Sequence, residues 1–244
     1  MSLLIYNITP NMNIFLLSWI LENCAKYHCD LHVVKMILET SQLLSTTHHM
    51  ANSVLAEKYM TEGKIYKKTH YNHPSAIWAR ECRENYIWLC YLGLALCKEY
   101  AYRYDKKPSD HKCYDKLVFL ITHVPDELPS NNGVITLPKM AMPDQYKCAD
   151  PVHAYRTYYV NDKQRMLVWR KRGPPNWIPK SLQHIHYESE IKRLSNALDK
   201  LNERVRKTDE HLKRIQELKT EIHDLQFILN TLTCDEIVSD CVAN

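Results

Sequence analysis

Glycine is nearly missing from this chain. Its 244 residues include four, at positions 63, 93, 133 and 173, and none is near another. G-x-G-x-x-G and G-x-x-x-x-G-K-[ST] loops need clustered glycines so that backbone can close on phosphate, so a Rossmann or P-loop site is not expected. The same scarcity argues against an all-β sandwich, which needs many tight turns. No run of 18 uncharged apolar residues occurs, so no membrane span is predicted. The apolar run at 14–21 has no basic stretch before it and no small-residue cleavage site after it, so no signal peptide is expected. The nine cysteines, at 24, 29, 82, 90, 97, 113, 148, 234 and 241, form no C-x-x-C pair, which argues against a zinc ribbon or a thioredoxin-type site. Cys24, Cys29, His28 and His32 lie close in sequence, but not at a standard metal-ligand spacing. No metal and no cofactor are therefore expected. Cysteines inside apolar helical patterns behave as small hydrophobes, which favours a reducing, intracellular setting over secretion.

The chain is 45% hydrophobic and 25% charged, which is a globular composition. The reading is all-α: a compact helical domain at 1–184, with an appended arm at 1–11, followed by a coiled-coil oligomerisation region with a short tail at 185–244. The second region rests on periodicity. Ile191, Leu194, Leu198, Leu201 and Val205, then Leu212, Ile215, Leu218, Ile222, Leu225, Leu229 and Leu232, follow the alternating three-four spacing of a coiled-coil seam. The Ile215–Leu218 step breaks the alternation, as a stammer would. A continuous helix over 187–232 would be about 70 Å long at 1.5 Å per residue. It predicts a homo-oligomer.

Charge divides in the same place. Residues 181–244 hold 9 Lys+Arg against 12 Asp+Glu, net −3. With chain totals of 32 and 28, residues 1–180 hold 23 against 16, net +7. That basic part also contains 15 of the 16 tyrosines and all five tryptophans. Cations with aromatic rings suit phosphate neutralisation and base stacking, so nucleic acid is the expected partner. Rings filling a helical core, with lysines solvating its surface, would give the same composition.

In the basic part the pattern predicts helices over 29–50, with Asp30 as N-cap, over 74–104 with Pro74 in the first turn, over 114–124, and from Asp150-Pro151 to about Arg172. A proline-rich loop covers 125–150. On the first helix, at about 100° per residue, His32, Lys35, Glu39 and Gln42 form one narrow polar stripe between apolar flanks. Such a stripe borders a pocket or makes a buried hydrogen-bonded row, and Lys35 with Glu39 also has the spacing of an ordinary i, i+4 pair. On the long segment, Glu81, Asn85, Glu99 and Arg103 share the face of Trp78, and Glu39 is expected near Arg103 or Arg156. Arg156, Tyr159 and Lys163 share a face of the later helix.

The segments Met12-Asn13-Ile14-Phe15, His28-Cys29-Asp30-x-His32-Val33-Val34-Lys35-Met36-x-x-Glu39, His73-Pro74-x-x-x-Trp78-x-Arg80, Ala141-Met142-Pro143-Asp144-x-Tyr146-Lys147 and Asp150-Pro151-x-x-Ala154-Tyr155-Arg156-x-Tyr158-Tyr159 resemble an uncharacterised family of bacteriophage and large DNA virus proteins. The match covers about 13–178. It implies a viral protein in a host's cytoplasm or nucleus, and no established activity. More remotely, the first helix and the His-Pro-x-x-x-Trp segment resemble pyrimidine-dimer DNA glycosylases. That resemblance implies an acidic catalytic residue at Glu39 and an attacking amine. Eleven residues precede Met12, the family's usual start, so Lys35 is the substitute for a terminal amine. His32 completes the catalytic candidates. Gln42, His73, Arg80, Arg103, Lys112, Arg156, Tyr159 and Lys163 are the candidates for nucleic-acid contact. Three functions remain open: a DNA glycosylase-like enzyme, a non-catalytic nucleic-acid or nucleotide-binding module, and a structural or host-interaction protein. Convergence of the polar residues on one pocket would separate them.

Overall fold

A computed structural model describes residues 13–204 and 208–242, with side chains to residue 232. The expected arm at 1–11 lies outside these residues. Every regular element among them is helical, and none is long and apolar enough to cross a membrane. The chain forms two compact units, 1–158 and 159–244, and each is described by itself.

In the first unit, α1 (Leu21–Tyr27), α2 (Asp30–Ala51), α3 (Ser53–Thr61), α4 (Pro74–Ala79), α5 (Arg83–Tyr104) and α6 (Tyr114–Thr122) pack around the α2–α5 pair. The polar residues along α2 are reconciled with burial by local bonding. Ser41, Ser45 and Thr47 each donate to the carbonyl four residues earlier. The Ser45 hydroxyl also accepts from the Tyr66 N–H, and Thr46 exchanges two hydrogen bonds with the backbone of Thr69. These bonds strap the 65–70 segment onto α2. Gly93 sits where α5 meets α2 and α6. A Cβ there would lie 2.8 Å from Leu117 Cδ2 and 2.9 Å from Thr40 Cγ2, so the missing side chain sets the approach of three helices.

Several expected boundaries differ. Cys29, not Asp30, is the N-cap of α2; Asp30 stands in its first turn. The expected single helix over 74–104 is two, α4 and α5, parted at Arg80–Cys82. The backbone groups freed by this break find partners. Asn85 Nδ2 donates to the Trp78 carbonyl, and the Arg83 N–H donates to Pro129 in the following loop. The partner for Arg83 lies 46 positions along the chain, so local pattern gives no notice of the break. The helix expected from Asp150 to Arg172 ends at Asp162: α7 is Pro151–Asp162, and the division between the two units falls within it.

In the second unit, Trp169 is fully buried and its backbone N–H donates to His186 Nδ1 at 3.2 Å. The expected continuous rod over 187–232 is replaced by α8 (Lys180–Asn202) and α9 (Asp209–Val242), packed on each other. His186 to Leu194 of α8 line a cavity with Glu221 to Ile228 of α9, so the two helices run antiparallel. Thr208 restarts the helix: its carbonyl accepts from the Leu212 N–H and its hydroxyl from the His211 N–H. The seam residues Leu194, Ile215 and Leu218 are buried within this unit. A hairpin thus uses intramolecularly the apolar stripe that the heptad pattern assigned to a second chain.

Candidate functional site

The site begins with a short extended segment, Asn13 to Leu17, buried throughout. Two of its N–H groups bond within the segment, Ile14 to Asn13 Oδ1 and Leu17 to the Phe15 carbonyl, and functional candidates supply the partners at its two ends. The Asn13 N–H donates to Glu39 Oε2 at 2.9 Å. The Asn13 side chain donates to the Ala141 carbonyl at 2.9 Å and accepts from the Tyr155 hydroxyl at 3.0 Å. At the other end, Arg156 Nε donates to the Leu17 carbonyl at 3.0 Å, with its guanidinium 5.5 Å from the centre of the Tyr27 ring. α2 and α7 therefore hold this segment at both ends.

Glu39 is 6% exposed, and its second oxygen, Oε1, lies 3.0 Å from Lys35 Nζ. The lysine side chain is half exposed. The pair thus runs from a carboxylate fixed inside the protein to an amine at its surface. One turn earlier, His32 is buried and stacks on Phe15, ring centres 4.4 Å apart and planes 19° apart. Phe15 also meets Tyr155 and Tyr158. Gln42, at the far end of the stripe, is half buried. The stripe passes from an aromatic stack, through an ion pair, to a half-buried glutamine.

The expected pairing of Glu39 with Arg103 or Arg156 does not occur. Arg103 is completely buried, with Nε on Glu99 Oε1 at 2.7 Å, Nη1 on Asp30 Oδ1 at 2.9 Å and Nη2 on the Lys26 carbonyl at 2.9 Å. A guanidinium consumed by two carboxylates and a carbonyl holds α1, α2 and α5 together and has no donors directed at a nucleic acid. Beside it, His28 is fully buried, its Nδ1 at 2.7 Å from the Cys24 carbonyl and its Nε2 without a partner. Burial pushes its pKa down to about 4.

The other candidates are scattered. His73 caps α4, its Nδ1 accepting from the Ser75 N–H, and burial lowers its pKa. Arg80 follows α4 with Nη1 buried and unbonded, and desolvation lowers its pKa. Lys112 is exposed ahead of α6. Tyr159 and Lys163 belong to the second unit. There Tyr159 is fully buried, edge-on to Trp177 at 6.2 Å, so its ring is core and not a stacking surface. Lys163 is half buried after α7.

Asn13 and Tyr155 were not picked out by sequence reasoning, although both stand in the motifs. A lone Asn opening an apolar run is the signal that was available. Among the described residues, no three His, Cys, Asp or Glu side chains gather to hold a metal ion. Cys24 is instead a buried thiol, pushed up to about 11 by desolvation. No protein-family model, curated protein or solved structure matches the chain.

Proposed function

We propose that the protein acts on DNA in the manner of a glycosylase, through Lys35 and Glu39. The observation that carries this reading is the half-exposed Lys35 amine 3.0 Å from a buried carboxylate whose other oxygen is fixed by the Asn13 N–H. A positioned amine beside a positioned carboxylate is the equipment for nucleophilic attack on a sugar carbon. In that step the Lys35 nitrogen bonds to C1′ of the damaged nucleotide while the C1′–base bond breaks. The bonding pair leaves with the base, which takes a proton from solvent. Glu39 accepts the proton lost by the amine and offsets the positive charge developing on the sugar. The C1′–O4′ bond then breaks as Glu39 returns its proton to O4′, which leaves a protonated imine between Lys35 and C1′. The net +7 of residues 1–180 supports engagement of the phosphate backbone, and Lys112 and Arg80 are the cations offered for it.

The test is incubation of the full chain with ultraviolet-irradiated or abasic duplex DNA in the presence of borohydride, which reduces an imine to a stable bond. A protein–DNA adduct is expected, and it should be lost in Lys35→Ala. No adduct with either substrate, and no base release from the irradiated duplex, would overturn the proposal.

One observation favours a second reading, a non-catalytic nucleic-acid-binding module in an intracellular viral setting. Both Glu39 oxygens already have partners within the protein, as in a structural ion pair. In that case salt-sensitive DNA binding persists without base release. Self-association through 187–232 belongs to this reading. With α8 and α9 packed on each other, Leu212, Phe227 and Ile228 are exposed apolar residues of α9 among the described side chains that could carry it.

A further inference from the structure

The first unit holds a second polar assembly, separate from Lys35 and Glu39. His48 lies nine residues beyond Glu39 on α2, about 13 Å along the axis at 1.5 Å per residue. A cavity of ≈ 520 Å³ opens there, bounded by the end of α2, by α3, by the start of α5, and by the segment that follows α6. That volume lies within the roughly 300–1,000 Å³ range of small-molecule sites.

His48 is its innermost polar residue, 4% exposed. Its Nε2 lies 2.8 Å from the Tyr86 hydroxyl, which donates to the Leu120 carbonyl at 3.2 Å. With the hydroxyl proton on that carbonyl, Nε2 is assigned the ring proton and Nδ1 the lone pair. Nδ1 has no partner among the described residues. Burial lowers the pKa of His48 to about 4, so near neutral pH the ring is an uncharged acceptor. On the cavity lining, this acceptor is open to a donor from a bound ligand.

Aromatic rings form one side. Tyr59 stands edge-on to His48 at 6.0 Å and to His123 at 5.8 Å, and His123 stacks on Phe119 at 4.0 Å. Arg83, the first residue of α5, lines the cavity, and its guanidinium has no hydrogen bond or ion pair among the described residues. The neighbouring first-turn carboxylate, Glu84, is held by Ser130 and by the Asn131 and Gly133 N–H groups rather than by Arg83. Asp126 and Glu127 stand at the rim. Glu127 accepts from Asn52 Nδ2 at 2.9 Å; Asp126 is exposed.

We infer that this cavity binds a nucleoside monophosphate: a base N–H donates to His48 Nδ1, the base lies against the Tyr59 and His123 rings, ribose hydroxyls donate to Asp126, and the phosphate meets Arg83. The donor set selects for this class. A buried neutral acceptor calls for a ring donor, the rings call for a flat partner, and the unpaired guanidinium calls for an anion. The inference does not depend on the proposed chemistry at Lys35.

The full chain at neutral pH is titrated calorimetrically with adenosine, guanosine, cytidine and uridine 5′-monophosphates, and with inorganic phosphate. Saturable binding of at least one nucleotide is expected, with inorganic phosphate much weaker. Arg83→Ala removes a charge-assisted contact and should weaken binding about tenfold or more. The Arg83 side chain holds nothing else, so this variant should fold normally. His48→Phe should reduce discrimination among the four bases. Lys35→Ala should bind like the unaltered protein. The inference is overturned if no nucleotide binds at millimolar concentration, if Arg83→Ala binds unchanged, if phosphate alone binds as well, or if Lys35→Ala abolishes binding.

Discussion

The Asn13 N–H and Glu39 Oε2, 26 positions apart in sequence, meet at 2.9 Å and join the first described segment of the chain to the polar stripe of α2. The carboxylate's contact there is with backbone, so any residue but proline at position 13 preserves it. The Asn13 side chain has a separate role, linking Ala141 and Tyr155.

Asn13→Ala should therefore leave the Glu39 contact in place while removing the partners of the buried Ile14 N–H and the Ala141 carbonyl; the Tyr155 hydroxyl keeps the Lys139 carbonyl at 3.4 Å. An unsatisfied buried polar group costs about 1–3 kcal/mol. Urea unfolding should show a loss of that order. Unchanged stability would mean that water replaces the side chain.

Arg103 makes a sharper case. Arg103→Met fills similar space but takes away the guanidinium that both Asp30 and Glu99 contact. Removing one partner of a buried pair costs about 3–5 kcal/mol. A large fall in melting temperature is expected, and salt should not rescue it. If Arg103 served nucleic acid instead, stability would hold and DNA affinity would drop.

The all-helical class, the basic first part and the i, i+4 geometry of Lys35 and Glu39 were legible in the sequence, because each rests on composition or on spacing within one helix. The partners of Arg103 were not. Lys26, Asp30 and Glu99 come from three helices, and nothing in one helix's period says which carboxylate a buried arginine reaches. The hairpin of α8 and α9 was hidden for a related reason. Leu194 and Leu218 satisfy a seam equally well whether the facing helix belongs to another chain or to this one. Only the helix stop at Asn202 and the new start at Asp209, capped by Thr208, distinguish the two.

Acid should unfold the first unit through His28 and His48. Burial holds both near a pKa of about 4, against 6.5 for an exposed histidine. The unfolded chain takes up protons below about 6.5 while the folded chain does not. This contribution to stability is therefore intact above that pH and shrinks as pH falls toward 4. Each histidine accounts for a loss on the order of 3 kcal/mol across that window. His28→Phe should flatten the decline in stability measured between pH 6.5 and 4. An unaltered slope would show that His28 does not titrate in this range.

Glu39→Gln separates a catalytic from a structural carboxylate when melting and base release are measured on the same sample. The substitution keeps size and hydrogen-bonding capacity, so the Asn13 N–H retains an acceptor, and the half-exposed Lys35 can turn to water. If Glu39 stabilises a cationic sugar, that contribution is on the order of 3 kcal/mol. Base release from damaged DNA should then fall by roughly a hundredfold, with the melting temperature nearly unchanged. Undiminished base release, or a large drop in melting temperature, would contradict the account and leave Glu39 as the structural anchor of Asn13.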